Sequence, residues 1–184
     1  MKIDKLFNGL KRIANGDYVL EGDLISEETI EIDLDDRFVV KGKIQAKKSI
    51  VVRCGIKAGW GIEAGEGIKA GWGIEAGSSI KAGEGIKAGE GIKAGCGIKA
   101  GSSIEAGCSI EAGSSIEAGE GIKAGSSIEA GAFISTKKRI FAGISIYRTS
   151  KNCDKTIHCT EMRDGEVCYG DLILTGNEEK PDED

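Results

Sequence analysis

The stretch from Gly55 to Gly77, GIKAGWGIEAGEGIKAGWGIEAG, repeats one six-residue phrase, and the phrase continues almost unbroken to Ala132. Its core, Ile-Lys/Glu-Ala-Gly, occurs thirteen times. Self-similarity at a fixed period indicates a repeat architecture, in which each unit packs mainly on its neighbours. The repeat is therefore the feature that decides the fold.

Each hexad reads as one short strand followed by one bend. Side chains alternate between faces in an extended segment, so Ile and Ala face inward while the Lys or Glu between them faces water. Gly at the fourth position, and Gly or Ser at the sixth, supply the permissive backbone that a bend needs. A helix is disfavoured because a period of six does not match 3.6 and each interior Gly costs roughly 1 kcal/mol relative to Ala. The pattern predicts an all-β, single-stranded β-helix, or β-solenoid.

The charged column between Ile and Ala predicts the size of one coil. Stacked opposite charges attract and stacked like charges repel. Pairs formed by positions i and i+18 include seven of opposite sign and three of like sign, whereas i+12 gives four and seven, and i+24 gives five and four. We therefore expect three hexads per coil in a triangular prism. A coil of four hexads stays open as an alternative because it would stack Ser78, Ser102 and Ser126.

The hexad frame extends beyond the perfect repeats. The positions that continue it are Ile32, Phe38, Ile44, Ile50, Ile134, Ile140 and Ile146. On this basis the solenoid is predicted to cover residues 17–148. Residues 149–176 read as short strands that form an irregular C-terminal β cap, and residues 177–184 as a disordered acidic tail.

The N-terminal segment, residues 1–16, is predicted to be an amphipathic helix that caps the first coil. Asn15-Gly16 then reads as its stop signal. The alternative is a helix that binds a partner or a membrane surface. The apolar residues at helical spacing are Ile3, Leu6, Phe7, Leu10, Ile13 and Ala14.

Composition narrows the classes of function. The 184 residues carry 25 basic and 30 acidic side chains with no strongly basic segment, so direct binding to nucleic acid is not expected. No run of about 18 apolar residues and no secretory signal is evident, so we expect a cytoplasmic protein without a membrane span. The six cysteines show no paired spacing, and free thiols are expected.

The repeat resembles that of hexapeptide-repeat proteins, many of which are acyltransferases that use a histidine near a coil junction as general base. Ile56 and Ile62 match the aliphatic position of that motif, whereas Trp60 and Trp72 depart from its small position. His158 is the only histidine and lies outside the regular coils. We therefore expect no enzyme activity, no catalytic residue and no cofactor.

A metal site is also not expected. Cys153, His158, Cys159 and Cys168 could be combined as zinc ligands, but their spacing lacks the paired C-x2-C or H-x3-H of a zinc motif. Buried or solvent-facing free thiols are the simpler interpretation.

Trp60 and Trp72 are the most unusual residues of the repeat surface, because the other variable corner positions hold Glu, Ser, Cys or Ala. Tryptophan is favoured at the centres of interfaces. The two side chains are therefore candidate partner-binding residues. The alternative is that they pack on the N-terminal helix or on each other.

Three functions follow from these features. The first is a non-enzymatic scaffold or protein-binding module that presents a repetitive charged surface to a protein partner. The second is self-assembly, since residues 39–52 (VVKGKIQAKKSIVV) resemble the short alternating strands of bactofilins, bacterial polymer-forming β-solenoids; a homo-oligomer would follow.

The third function is mimicry of a nucleic-acid duplex by an acidic face, as in inhibitors built from pentapeptide repeats, although the pentapeptide motif does not occur here. Such a face would dock on the basic surface of a nucleic-acid-processing or defence enzyme. The candidate acidic residues are Glu105, Glu111, Glu117, Glu120 and Glu129.

Overall fold

Short strands separated by tight bends make up the chain. The computed structural model describes residues 1–143 and 155–175, and these residues contain strands but no helix. No helix that could cross a membrane is found among them. The first strands are β1 (Lys2–Ile3), β2 (Leu10–Arg12), β3 (Tyr18–Leu20), β4 (Leu24–Ser26) and β5 (Ile30–Ile32).

A series of three-residue strands follows, one for each hexad, and it confirms that each repeat is a strand and a bend. The strands are β6 (Phe38–Val40), β7 (Ile44–Ala46), β8 (Ile50–Val52), β9 (Ile56–Ala58), β10 (Ile62–Ala64), β11 (Ile68–Ala70), β12 (Ile74–Ala76), β13 (Ile80–Ala82), β14 (Ile86–Ala88), β15 (Ile92–Ala94), β16 (Ile98–Ala100), β17 (Ile104–Ala106), β18 (Ile110–Ala112), β19 (Ile116–Ala118), β20 (Ile122–Ala124) and β21 (Ile128–Ala130). The last strands are β22 (Phe133–Phe141), β23 (Thr156–Cys159), β24 (Glu161–Tyr169) and β25 (Asp171–Leu174).

Every third strand pairs in parallel, so each coil contributes one strand to each of three stacks. The first stack runs from β5 through β8 to β20, the second from β4 through β7 to β19, and the third from β3 through β6 to β21. Ile62 is in register with Ile80, and Ile74 with Ile92. The coil of three hexads is confirmed, and the alternative of four hexads is wrong.

The interior consists of Ile and Ala ladders. In each regular hexad the Ile and the Ala are buried, and the residue between them faces outward. Burying each Ile contributes about 1.5–3 kcal/mol relative to exposure.

In the regular coils from Gly59 onward, the glycine at the fourth hexad position is required by close contact with the preceding coil. The same position holds Lys41, Lys47 and Arg53 in the hexads before Gly59. At Gly89, for example, a Cβ would overlap the carbonyl oxygen of Gly71. The Gly at the sixth position has more room, since a Cβ at Gly91 would lie 3.4 Å from the carbonyl oxygen of Ser109. Neither glycine has a positive φ. This difference explains why Ser replaces Gly only at the sixth position.

The first coil is longer than the regular coils by two positions. Phe38 pairs with Tyr18, and Ile50 pairs with Ile30, whereas regular partners such as Ile62 and Ile80 are closer in sequence. The predicted frame is therefore wrong at Ile32, which occupies the Ala position of its strand and is in register with Val52. The insertion lies within residues 33–37. Because it is even, it keeps Ile32 inward and makes the slip invisible in the alternation.

The predicted N-terminal helix is wrong. β1 continues the first stack and buries Ile3 beside Ile32, and β2 pairs antiparallel with β3. Two turns join them, in which the amides of Phe7 and Leu10 donate to the carbonyls of Asp4 and Phe7, respectively. A strand, a turn and a second strand thus place apolar residues three or four apart, and this spacing imitates that of a helix.

The C-terminal strands extend the stacks. β22 runs across two stacks and pairs with both β19 and β20. β24 pairs with β22, while β23 and then β25 continue the third stack. The described part of the predicted C-terminal β region is thus formed by strands. Ile146, residues 149–154, and the predicted acidic tail of residues 177–184 lie outside the described residues.

Candidate functional site

Trp60 borders an open groove on the outer surface of the second stack. It occupies the bend between β9 and β10, and its side chain is 70% exposed. The amide of Trp60 donates to the Gly42 carbonyl at 3.2 Å, and the carbonyl of Trp60 accepts from the Ser78 amide at 3.0 Å. The backbone of this bend is therefore fixed by both neighbouring coils, while the indole ring projects freely.

We call this feature the Trp60 groove. It has a volume of about 510 Å³ and an edge formed by the indole ring. Its polar lining comes from four successive coils, because β4, β7, β10 and β13 are consecutive neighbours in the second stack. The polar side chains in its lining are Asp23, Lys43, Gln45, Glu63, Ser78, Ser79 and Lys81.

The charges of Glu63 and Lys81 distinguish this groove from the rest of the surface. The two residues are in register on β10 and β13. Of the seven opposite-sign pairs in the repeat column, four form ion pairs, the longest at 2.9 Å. Within residues 1–143 and 155–175, Glu63 and Lys81 form the one such pair in which neither side chain has an ion-pair partner.

Three other side chains of the Trp60 groove are held by local hydrogen bonds. The carboxylate of Asp23 accepts from the Lys43 amide at 2.9 Å, and the Lys43 ammonium donates to the Gln45 side-chain carbonyl at 3.1 Å. These bonds fix the floor of the groove at its N-terminal end. Sequence reasoning missed these residues because they precede Trp60 by one or two coils. Counting back from Trp60 by one regular coil reaches Lys43 and Gln45, and counting back further by the longer first coil reaches Asp23.

Trp72 lies at a different corner, between β11 and β12, and is 44% exposed. It borders a second groove of about 510 Å³. Several charged side chains of that groove are already paired, since Glu75 contacts Lys57 at 2.6 Å and Glu111 contacts Lys93 at 2.7 Å. The two tryptophans do not stack in one column, and no helix covers them in the described residues.

The five candidate glutamates do not form one acidic face. Glu105, Glu117 and Glu111 lie on the outer surfaces of the first, second and third stacks, respectively. Each forms an ion pair with the Lys at the same place in the preceding coil, and hydrogen bonding from Lys93 lowers the pKa of Glu111.

Glu120 occupies a bend and contacts the Lys138 ammonium at 3.1 Å. Glu129 lies on β21, in register with Glu111 and His158. One groove does bring Glu105 and Glu120 together. Four basic residues share that groove with them: Lys123, Lys137, Lys138 and Arg139.

The cysteines and His158 offer no metal centre in the described residues, where no three His, Cys, Asp or Glu side chains cluster. Cys54 and Cys159 are buried, and burial raises the pKa of the Cys54 thiol to about 11. Cys153 lies outside the described residues. His158 projects outward from β23.

The comparison of this chain with protein-family models, with curated proteins and with solved structures found no match. The fold is an all-β parallel solenoid with three strands in each regular coil.

Proposed function

We propose that the protein is a non-enzymatic protein-binding module and that the Trp60 groove is its contact surface. The observation that carries this proposal is the exposed indole beside a groove in which Glu63 and Lys81 lack ion-pair partners among the described residues. An exposed tryptophan provides a large apolar anchor, and the two opposite charges select the partner's orientation.

The groove fits an extended polypeptide segment of a partner protein. It crosses the strands of the second stack, so a segment lying in it would contact several coils in succession. An apolar side chain of the partner would pack on Trp60, and one basic and one acidic group would pair with Glu63 and Lys81. The hydroxyls of Ser78 and Ser79 add hydrogen-bonding groups for its backbone.

The test begins by isolating cross-linked partners with the wild-type chain, W60A and W72A from cells that express the protein. A partner lost with W60A and retained with W72A is then purified and titrated by calorimetry. We expect W60A to weaken binding at least about tenfold, as truncation of an anchor residue does, while W72A binds as the wild type does.

A spectroscopic measurement reports on the same contact directly. In a W72F variant, Trp60 is the only tryptophan, and its emission should shift to the blue when the partner buries the indole. Unchanged emission at saturating partner, or equal binding by W60A and the wild type, would contradict the proposal.

A further inference from the structure

The two ends of the solenoid carry most of the large exposed apolar side chains. Among the described residues, seven of the eleven such side chains lie at an end of the molecule. At the N-terminal end these are Met1, Leu6 and Ile13, and Leu6 is 92% exposed. At the C-terminal end they are Tyr169, Leu172, Ile173 and Leu174.

In the part of the chain that the structure describes, β25 is the last strand of the third stack at its C-terminal end. Leu172 is in register with buried Ile157, and Leu174 with buried Cys159, so both continue the inward-facing columns. They are nevertheless 40% and 46% exposed, whereas the Ile residues of the regular coils are almost completely buried. The terminal layer thus has the side chains of a core layer, and no further coil covers it within residues 1–143 and 155–175.

The same stack presents a strand edge at each end. Its sheet begins with β2 and ends with β25, and each of these strands has a single neighbour within the described ranges. An uncovered edge exposes backbone amides and carbonyls that can pair with another strand. Since β2 is antiparallel to the stack and β25 is parallel to it, β25 of one copy and β2 of the next would pair antiparallel in a head-to-tail arrangement.

The charges of the two ends are opposite. Residues 1–16 contain four basic side chains and one acidic side chain, and residues 155–175 contain two basic and four acidic ones. Lys2, Lys5 and Arg12 pair with aspartates of the first coil. At the N-terminal end, Lys11 on β2 has no ion-pair partner among the described residues. At the C-terminal end, Asp164 and Glu166 on β24 have no cationic partner there either. Unlike ends therefore attract and like ends repel.

We propose that the C-terminal end of one copy binds the N-terminal end of the next, with β25 pairing with β2, so that the chain assembles head to tail. This contact buries Leu172 and Leu174 beneath the β2 layer and continues the third stack from one copy into another. Because the two contacting surfaces differ, the interface is heterologous and does not close after two copies. The inference does not depend on the Trp60 groove.

The first experiment measures molar mass by light scattering over a wide concentration range. The wild type should start at the monomer mass of 19.3 kDa and climb with concentration. High salt should weaken the association because it screens the charges of the two ends. A mass that stays at the monomer value throughout would overturn the proposal.

Two variants, each blocked at one end, test the polarity of assembly. L6E/K11E blocks the N-terminal end with negative charge, and I173E/L174E removes the apolar edge of the C-terminal end. Each variant alone should stay monomeric, whereas an equimolar mixture should reach twice the monomer mass, because one supplies an intact C-terminal end and the other an intact N-terminal end. Recovery in the mixture also shows that both variants are folded.

V51E is the matched control, because Val51 is an exposed apolar residue on the side of the solenoid. It should associate as the wild type does. Dimers formed by either blocked variant alone would show contact between like ends and overturn the head-to-tail arrangement. Continued growth of both blocked variants would show that the contact lies elsewhere on the surface, which would also overturn the proposal.

Discussion

At the scale of single residues, the repeat contains two kinds of glycine with different physical roles. The fourth-position glycines contact the carbonyl of the coil below, whereas the sixth-position glycines leave room for a side chain. From the hexad sequence alone, both glycines are predicted to have the same role, which is to supply the permissive backbone of a bend. The distinction depends on the distance between coils, which only the stacked structure supplies.

Gly89 and Gly91 test this distinction, because they flank the same bend. G89A forces a Cβ onto the Gly71 carbonyl and should lower the free energy of unfolding by about 2 to 4 kcal/mol. G91A meets no such obstacle and should be neutral or stabilising by about 0.4–1 kcal/mol, because it reduces the entropy of the unfolded chain. Urea unfolding followed by circular dichroism gives both values. Equal destabilisation by the two variants would show that close contact is not the reason for Gly at the fourth position.

At the scale of the strand, charge order along a stack contributes to register. Lys93 lies between Glu75 and Glu111, whereas Lys81 lies between Glu63 and Lys99. K93E would replace two attractive neighbours with two repulsive ones. K81E would make the contact with Glu63 repulsive and the contact with Lys99 attractive. The two changes in charge interaction therefore largely cancel.

We therefore expect K93E to lower Tm at low ionic strength and K81E to leave Tm nearly unchanged. In about 1 M salt, where the screening length falls to about 3 Å, the difference between the variants should disappear. Thermal unfolding at several salt concentrations provides the measurement. A difference that persists at high salt would assign the effect of K93E to packing instead of charge.

The N-terminal strands are held to the first coil by a cluster around Asp35. Its carboxylate accepts hydrogen bonds from the Lys5 ammonium at 2.7 Å and the Tyr18 hydroxyl at 2.9 Å. These bonds, with the bond from Lys5 as the largest cause, lower the pKa of Asp35 to about 2. Because the folded-state pKa lies below the ordinary value of about 3.9, the contribution to stability is present above that value and is lost as the pH falls toward 2.

D35N should consequently lower Tm at pH 7, and the gap to the wild type should close between about pH 4 and pH 2. E31Q is the control, because Glu31 is exposed on β5 and has no ion-pair partner among the described residues. Thermal unfolding across this pH range provides the test. A gap that is constant with pH would show that the amide disturbs packing and not the charged cluster.

Strands were more predictable than ends, for a physical reason. In the repeats, the alternation of inward and outward residues, the residues of the bends and the order of the charges all predict a coil of three hexads. The structure has that coil. In residues 1–16, apolar spacing satisfies both a helix and a strand–turn–strand; pairing with Ile32 and Leu20 decides between them. The pairing of Ile3 with Ile32 joins residues far apart in sequence and leaves no local signal. The pairing of β2 with β3 is local, and Asn15-Gly16, with Gly16 at a φ of 96°, is the signal of its turn.

At the scale of the whole molecule, the candidate site was only partly visible in the sequence. Trp60 was evident because its type contrasts with the other bends. Lys43 was not, although it precedes this bend by one regular coil, and Asp23 was not, because its proximity to Trp60 depends on the longer first coil. The candidate glutamates show the opposite case. They are close in sequence, but the structure distributes them over three stacks.

Deletion of one complete coil should leave the fold intact. Removing residues 75–92 joins Ile74 to Lys93 and restores an Ile-Lys-Ala strand. Removing residues 75–91 takes out one residue fewer and turns every inward side chain of the joined strand to the other face. We expect the first variant to fold cooperatively with a wild-type far-ultraviolet spectrum and the second to lose its stability; cooperative folding of both would contradict a coil of fixed length.

Interchangeable hexads make the molecule resemble a threaded rod, in which rise and rotation are coupled. One added hexad would advance the C-terminal end by about 1.6 Å, a third of the strand spacing of about 4.8 Å. It would also turn that end from one stack to the next. Three added hexads would restore the original azimuth one full pitch further along. Gain or loss of three repeats can thus change the length of the rod without changing the direction of its C-terminal strands, whereas gain or loss of one repeat changes both.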